Sequence, residues 1–177
     1  MNYERETLVA YLRQYGITYL APSDAVATEV IESEQELVRS LLLSGDERLQ
    51  MALVPLFIRN VHLSKHIPVL IEKLSPENAL DLKTYYMAAV YLQQIWHIRL
   101  GFYIDNSVSL PDLFSGEMNL PSPGERFGKV GLYDLVDDWR NRSIFPFNYM
   151  ASLNKVMDLF FEDLILTIPE PHYAPAN

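Results

Sequence analysis

"SPENALDLKTYYMAAVYLQQIWHIRLGFY", Ser75 to Tyr103, is the stretch whose reading decides the fold. It opens on a helix start signal. Ser75 can cap free amides, Pro76 sits at the first helical position where no hydrogen bond is lost, and Glu77 meets the positive end of the helix. Beyond it, Tyr85, Ala89, Leu92, Trp96 and Tyr103 recur as one stripe, and Tyr86, Val90 and Ile95 fill its flanks. A helix that is apolar nearly all round must be packed on by others. Asp81–Tyr103 is therefore expected to be the central helix of an all-α protein.

Outward from this segment, helical spacing dominates. Leu8, Leu12 and Tyr15 share a face, and Gly16 can end their helix. "GITYLAP" is extended in character. A second helix is predicted from Ser23, with Asp24 near its start and Val26, Val30, Leu37, Val38, Leu41 and Leu42 on one side. Gly45 punctuates its end and Asp46 caps the next helix. That third helix, "ERLQMALVPLFIRN", contains Pro55, so a kink or early stop is expected. The last long helix, "NYMASLNKVMDLFFEDLIL", places Met150, Leu153, Met157, Phe160, Phe161 and Leu164 at helical spacing. Asp105 to Gly131 holds three prolines and four glycines in 27 residues and reads as a long loop. Within it "PDLF" could seed one helical turn, and "GLYDLVDDW" resumes a short helix. The tail, 168–177, reads as extended or disordered. The expectation is a single helical domain over 1–177: an irregular or orthogonal bundle of five to seven helices around the central aromatic helix.

Composition bounds the function. The chain has 177 residues, 49% hydrophobic and 21% charged, enough for one well-buried core. Its 14 basic against 23 acidic residues give a net charge of −9, which disfavours nucleic acid and anionic lipid and suits a basic protein partner better. With no cysteine, disulfides and thiolate metal sites are excluded. The N-terminus carries Glu4 and Glu6 and no long apolar run, and Tyr85–Ile104 contains Gln93, Gln94, His97 and Arg99. Neither a secretory signal nor a membrane span is expected, and the protein reads as cytoplasmic.

Candidate chemistry is sparse. "IRNVHLSKHIP", Ile58 to Pro68, loosely resembles the Arg-x(4–6)-His motif of HEPN ribonucleases, with Arg59, Asn60 and His66 in the matching places. The resemblance implies His66 as acid or base and Arg59 steadying a phosphate. Residues seven apart on one helix lie about 10 Å apart along its axis. Pro68 biases Ile67 toward extended geometry and Ser64 can cap a new helix, so the segment also reads as a connection between helices. His62 and His66 have zinc-helix spacing, but Leu63 stands where a metalloprotease needs Glu, so no metal is expected. "GERFGKV" lacks the spacing and the hydroxyl of a phosphate loop. Asp134, Asp137 and Asp138 read as a solvated face balanced by Arg140 and Arg142. Gln93, Gln94, His97 and Arg99 on the central helix are candidate ligand-binding residues. Leu110, Phe114, Phe127, Phe145, Phe147 and Tyr149 are candidate interface anchors, with core packing as the alternative for each. No cofactor is expected.

Taken together, "ELVRSLLLSGDERLQMALVPLF", "YYMAAVYLQQIW", "LPDLFSGEMNLPSPGERFGKVGLYDL" and "FNYMASLNKVMDLFFEDL" resemble a family of small helical bacterial proteins that accompany stand-alone nucleotidyltransferases, in the manner of two-gene toxin–antitoxin or defence modules. The resemblance implies a partner protein, and no catalytic motif travels with it. The leading expectation is a non-catalytic interaction protein, antitoxin-like toward a nucleotidyltransferase. A HEPN-like ribonuclease and a small-ligand binder are the alternatives, and a homo-oligomer is compatible with all three.

Overall fold

A computed structural model of the chain describes residues 3–20, 26–105, 107–145 and 147–167. Helix dominates, and there are no strands among the described residues. In chain order the helices are α1 (Arg5–Gln14), α2 (Glu34–Leu42), α3 (Glu47–Met51), α4 (Leu53–Arg59), α5 (Ile67–Glu72), α6 (Pro76–Ile95), α7 (His97–Leu100), α8 (Lys129–Arg142) and α9 (Tyr149–Leu166). A 3-10 turn, Val61–His66, precedes α5 and another, Glu125–Gly128, precedes α8.

α6 is the hub. Tyr86, Met87, Ala88, Ala89 and Tyr91 are fully buried, and α4 and α8 pack most extensively on it, with α2 and α5 completing the shell. Its start follows the sequence signal: Ser75 accepts a hydrogen bond from the Asn78 amide. The long uninterrupted helix expected to Tyr103 is corrected. α6 ends at Ile95, Trp96 breaks the run and only the short α7 follows. The break directs Trp96 and Tyr103 edge-on to Phe161 of α9, with ring centres 5.5 Å and 6.2 Å apart.

The chain before α2 also differs from expectation. Residues 26–33 are not helical, and Val26 and Val30 are exposed; Ser23 lies outside the described residues. α2 starts at Glu34 because Ser33 caps it, accepting from the Glu36 amide at 3.2 Å. The preceding segment hangs on α1 through side chains: Thr28 amide to Thr7 Oγ1, and Ile31 amide to Tyr11 hydroxyl. Gly16 and Gly45 end α1 and α2 with positive φ, and Asp46 caps α3 by accepting from the Arg48 amide. Pro55 costs no hydrogen bond. The helix divides at Ala52, and Pro55 falls in the first turn of α4, where amides lack helical partners anyway.

The connection from Asp105 to Gly128 is pinned to α6 by three buried polar side chains. Gln93 Oε1 accepts from the Leu110 amide at 2.7 Å, Tyr86 hydroxyl donates to the Pro111 carbonyl, and Tyr91 hydroxyl donates to the Pro121 carbonyl. "PDLF" forms no helix; Asp112 instead accepts from the Ser115 amide in a turn. α8 is longer than "GLYDLVDDW", and α9 is capped by Asn148, which accepts from the Ala151 amide. The tail, 168–177, lies outside the described residues.

Candidate functional site

The Arg59–His66 segment is a connection built around a carboxylate that sequence reasoning missed. Glu34, at the start of α2, holds His62 Nε2 at 2.8 Å on one oxygen and His66 Nε2 at 2.7 Å on the other. Lys65 stands 3.8 Å away, and Gln35 Nε2 is 3.3 Å from His66 Nδ1. Burial alone would raise the Glu34 carboxyl. The hydrogen bonds from His66 and His62 and the nearby Lys65 outweigh it and hold the carboxyl below its ordinary range. Ser64 caps nothing, and Ile67 is helical rather than extended, with Pro68 in the first turn of α5. The extended geometry expected at Ile67 is overridden because His66 and Ile67 continue directly from the 3-10 turn.

Arg59 and His66 are engaged separately. Arg59 lies against Gly16, where an added Cβ would sit 2.2 Å from its Nε, and its Nη1 is buried without a hydrogen-bond partner among the described residues. Asn60 spends its amide on the Tyr15 and Leu56 carbonyls at 3.1 Å and 3.0 Å. The structure thus ties Arg59 and Asn60 to the end of α1 and His66 to the start of α2.

The central-helix candidates split in the same way. Gln93 is buried and committed to Leu110, whereas His97 and Arg99 are exposed. Arg99 covers the Phe161 ring at 3.8 Å, a cation–π contact. None of Gln93, Gln94, His97 and Arg99 lines a cavity described below.

Of the apolar anchors, Leu110 and Phe114 are core residues, buried under the loop against α6, and are not available to a partner. Phe127 is 77% exposed and sits in a left-handed turn, where Arg126 (φ 45), Phe127 (φ 57) and Gly128 (φ 81) succeed one another. The α8–α9 connection is also apolar and exposed: Ile144 is 93%, Phe145 78% and Phe147 40% exposed. Tyr149, by contrast, stacks on Trp139 with ring centres 4.2 Å apart and shares a 2.6 Å hydrogen bond with Ser143.

This connection borders a cavity of about 560 Å³ whose floor is Tyr85, Trp139 and Tyr149 and whose rim carries Glu47, Glu77 and Asp81. None of the three carboxylates accepts a hydrogen bond or forms an ion pair among the described residues. Arg142, the one cation at the rim, is held by Asp138 at 2.9 Å and by Thr84 at 3.0 Å. Burial pushes the Asp81 carboxyl up; Arg142 pulls it back and Glu77 adds to the rise. Two of the three aspartates of α8 pair along their own helix, Asp137 with Arg140 and Asp138 with Arg142, as a solvated face. No group of three or more His, Asp or Glu side chains among the described residues is arranged to hold a metal ion, and no described helix is long and apolar enough to cross a membrane.

No protein family, curated protein or solved structure matches the chain.

Proposed function

We propose that this protein is a non-catalytic interaction protein that presents the α8–α9 connection to a protein partner. The observation that carries the reading is the exposure of Ile144, Phe145 and Phe147 together, beside a cavity with an aromatic floor and three carboxylates that form no ion pair among the described residues. Large apolar side chains gathered at the surface mark binding sites, and aromatic residues supply most of the energy at such interfaces. The carboxylates at the rim would select a partner segment carrying Lys or Arg among apolar residues. The resemblance to companions of nucleotidyltransferases makes such an enzyme the first partner to test, in a cytoplasmic, antitoxin-like role.

A photo-crosslinking amino acid at Phe145, with a control at Glu4, tests the reading in the native host. One protein is expected to crosslink in stoichiometric yield from position 145 and not from position 4. Equal, diffuse crosslinking from both positions would sink it.

The ribonuclease alternative draws on one observation, the buried Arg59 Nη1 without a partner, since an unsatisfied buried donor calls for an explanation. It requires Arg59 to leave Gly16 and meet His66 on a bound phosphate.

A further inference from the structure

A second cavity, of about 640 Å³, lies beside the first and shares Glu47 and Phe147 with it, but its chemistry is opposite. Arg5, Arg48 and Lys155 face it, against the single carboxylate of Glu47. The whole chain carries 14 basic and 23 acidic residues, so three cations to one acid is a local reversal of its charge balance. Arg5 is held by Asp46 at 3.0 Å. Arg48 and Lys155 have no side-chain hydrogen bond or ion pair among the described residues. Most of the remaining wall is apolar, with Leu20, Met51, Val156 and Leu159 beside the hydroxyl of Ser152. Tyr19 also lines the cavity, and its hydroxyl is buried with no hydrogen-bond partner among the described residues. Burial, with the Asp163 charge adding to it, pushes the Tyr19 phenol up and keeps it a neutral donor.

Arg48 and Lys155 are exposed at the cavity and carry no ion pair among the described residues. They leave positive potential where there is room for a ligand, and the size is within the usual range for small-molecule sites. An apolar wall favours a ligand body without polar groups, because each buried polar atom would need a partner that Leu20, Met51, Val156 and Leu159 cannot give.

We infer that this cavity binds a small amphiphilic anion, an alkyl or aryl body with a carboxylate or phosphate monoester head, the head between Arg48 and Lys155 and the body against Leu20, Met51 and α9. The site adjoins the proposed partner surface and shares Glu47 and Phe147 with its cavity, but Arg48, Lys155 and the Leu20, Met51, Val156 and Leu159 wall belong to it and not to that cavity.

Calorimetric titration of the full chain with octanoate, octyl phosphate, octylammonium and octanol tests this. Saturable one-to-one binding is expected for octanoate or octyl phosphate, and the tighter of the two identifies the head. Octylammonium should not bind. Arg48→Glu with Lys155→Glu should weaken the anion by about tenfold or more. Arg48→Lys with Lys155→Arg, which keeps the charge, should bind like the parent. Both positions are exposed at the cavity wall, and helicity by circular dichroism checks that each variant is folded. Absence of binding by both anions overturns the inference. So does octanol binding as tightly as octanoate with no effect of the charge reversals.

Discussion

Gly131 of α8 is the notch into which the Tyr91 ring of α6 fits: a Cβ at Gly131 would lie 2.1 Å from ring carbon Cε1. The ring cannot swing away, because Tyr91 is fully buried and its hydroxyl donates to the Pro121 carbonyl at 2.7 Å. Gly131→Ala gains up to about 1 kcal/mol of helix propensity. Overpacking a closed contact costs about 1–3 kcal/mol, so the clash should win and the variant should unfold at lower denaturant. Combining it with Tyr91→Leu, which removes the ring, should recover part of the loss. Additive losses in that double-mutant cycle would contradict the fit.

Asp163 closes the bundle from the other end. Its buried carboxylate accepts from the Thr18 amide at 2.7 Å, the Thr18 hydroxyl at 2.8 Å and the Tyr19 amide at 2.9 Å, joining α9 to the chain leaving α1. Asp163→Ala leaves two amides without acceptors and should cost about 3 kcal/mol or more, read from chemical denaturation. Asp163→Asn can keep both backbone amides on its one oxygen, because both donate to Oδ2, and its NH2 can donate to the Thr18 hydroxyl, so it should recover much of that loss.

The parts of this fold that were legible in the sequence are those fixed within a turn or two. Ser75-Pro76-Glu77, Asp46 after Gly45, and the apolar circumference of α6 each act locally, and each stands in the structure as read. The same local logic was present at Ser33-Glu34-Gln35-Glu36, a serine followed three residues later by an acid, and would have placed the start of α2 and with it Glu34. The strong-looking pairing of Ser23 with Val26 and Val30 obscured it. What could not be read were relations between distant segments: Glu34 with His62 and His66, Asp163 with Thr18, and the cavities gathered from α3, α6, α8 and α9. Nor could composition separate Phe114, which the loop folds under itself, from Phe145, which it leaves outside.

Two carboxylates should bend the pH dependence of stability in opposite directions. Glu34 has a folded pKa below its unfolded value of 4.5, so it contributes stability above that pH, and the contribution is lost as pH falls through the folded pKa. Glu34→Gln should therefore be less stable than the parent at neutral pH and converge on it in acid. Asp81 has a folded pKa above its unfolded value of 3.8, so its ionisation opposes folding as pH rises past that value. Asp81→Asn should be more stable than the parent at neutral pH, with the gain vanishing below pH 3.8. Melting both variants across the acid range reads the two signs. Parallel curves for parent and variants would refute both assignments.

Phe127 is held at φ 57 while 77% exposed, so its ring contributes little to the core and its backbone sits in a region that L-residues avoid. That conformation costs about 1–2 kcal/mol outside Gly, Asn and Asp. Phe127→Asn should therefore stabilise the isolated protein by about 0.5–1 kcal/mol. A gain in melting temperature accompanied by weaker partner crosslinking would mean that strain is kept there for binding. A loss of stability would mean that the ring packs more than its exposure suggests.

Arg59 offers the sharpest separation of folding from function. A buried guanidinium nitrogen without a partner is a cost to the folded state, and Arg59 Nη1 is one. Its Cδ, Nε and Cζ, however, pack against the end of α1, where Gly16 alone leaves room for them at φ 82. Arg59→Met keeps the stem and removes the unpaired charge, and should leave stability within about 1 kcal/mol of the parent or raise it. Gly16→Ala, which adds both a clash with Arg59 and a positive-φ penalty, should destabilise by about 2 kcal/mol or more. If Arg59→Met in the Gly16→Ala background restores little, the backbone penalty dominates; if it restores most, the contact with Arg59 does. Purified parent and Arg59→Met, assayed on single-stranded RNA without metal, then decide the ribonuclease reading. Cleavage by the parent that disappears in a fully folded Arg59→Met and in His66→Ala would establish it, and equal inactivity of all three would leave Arg59 as a packing residue.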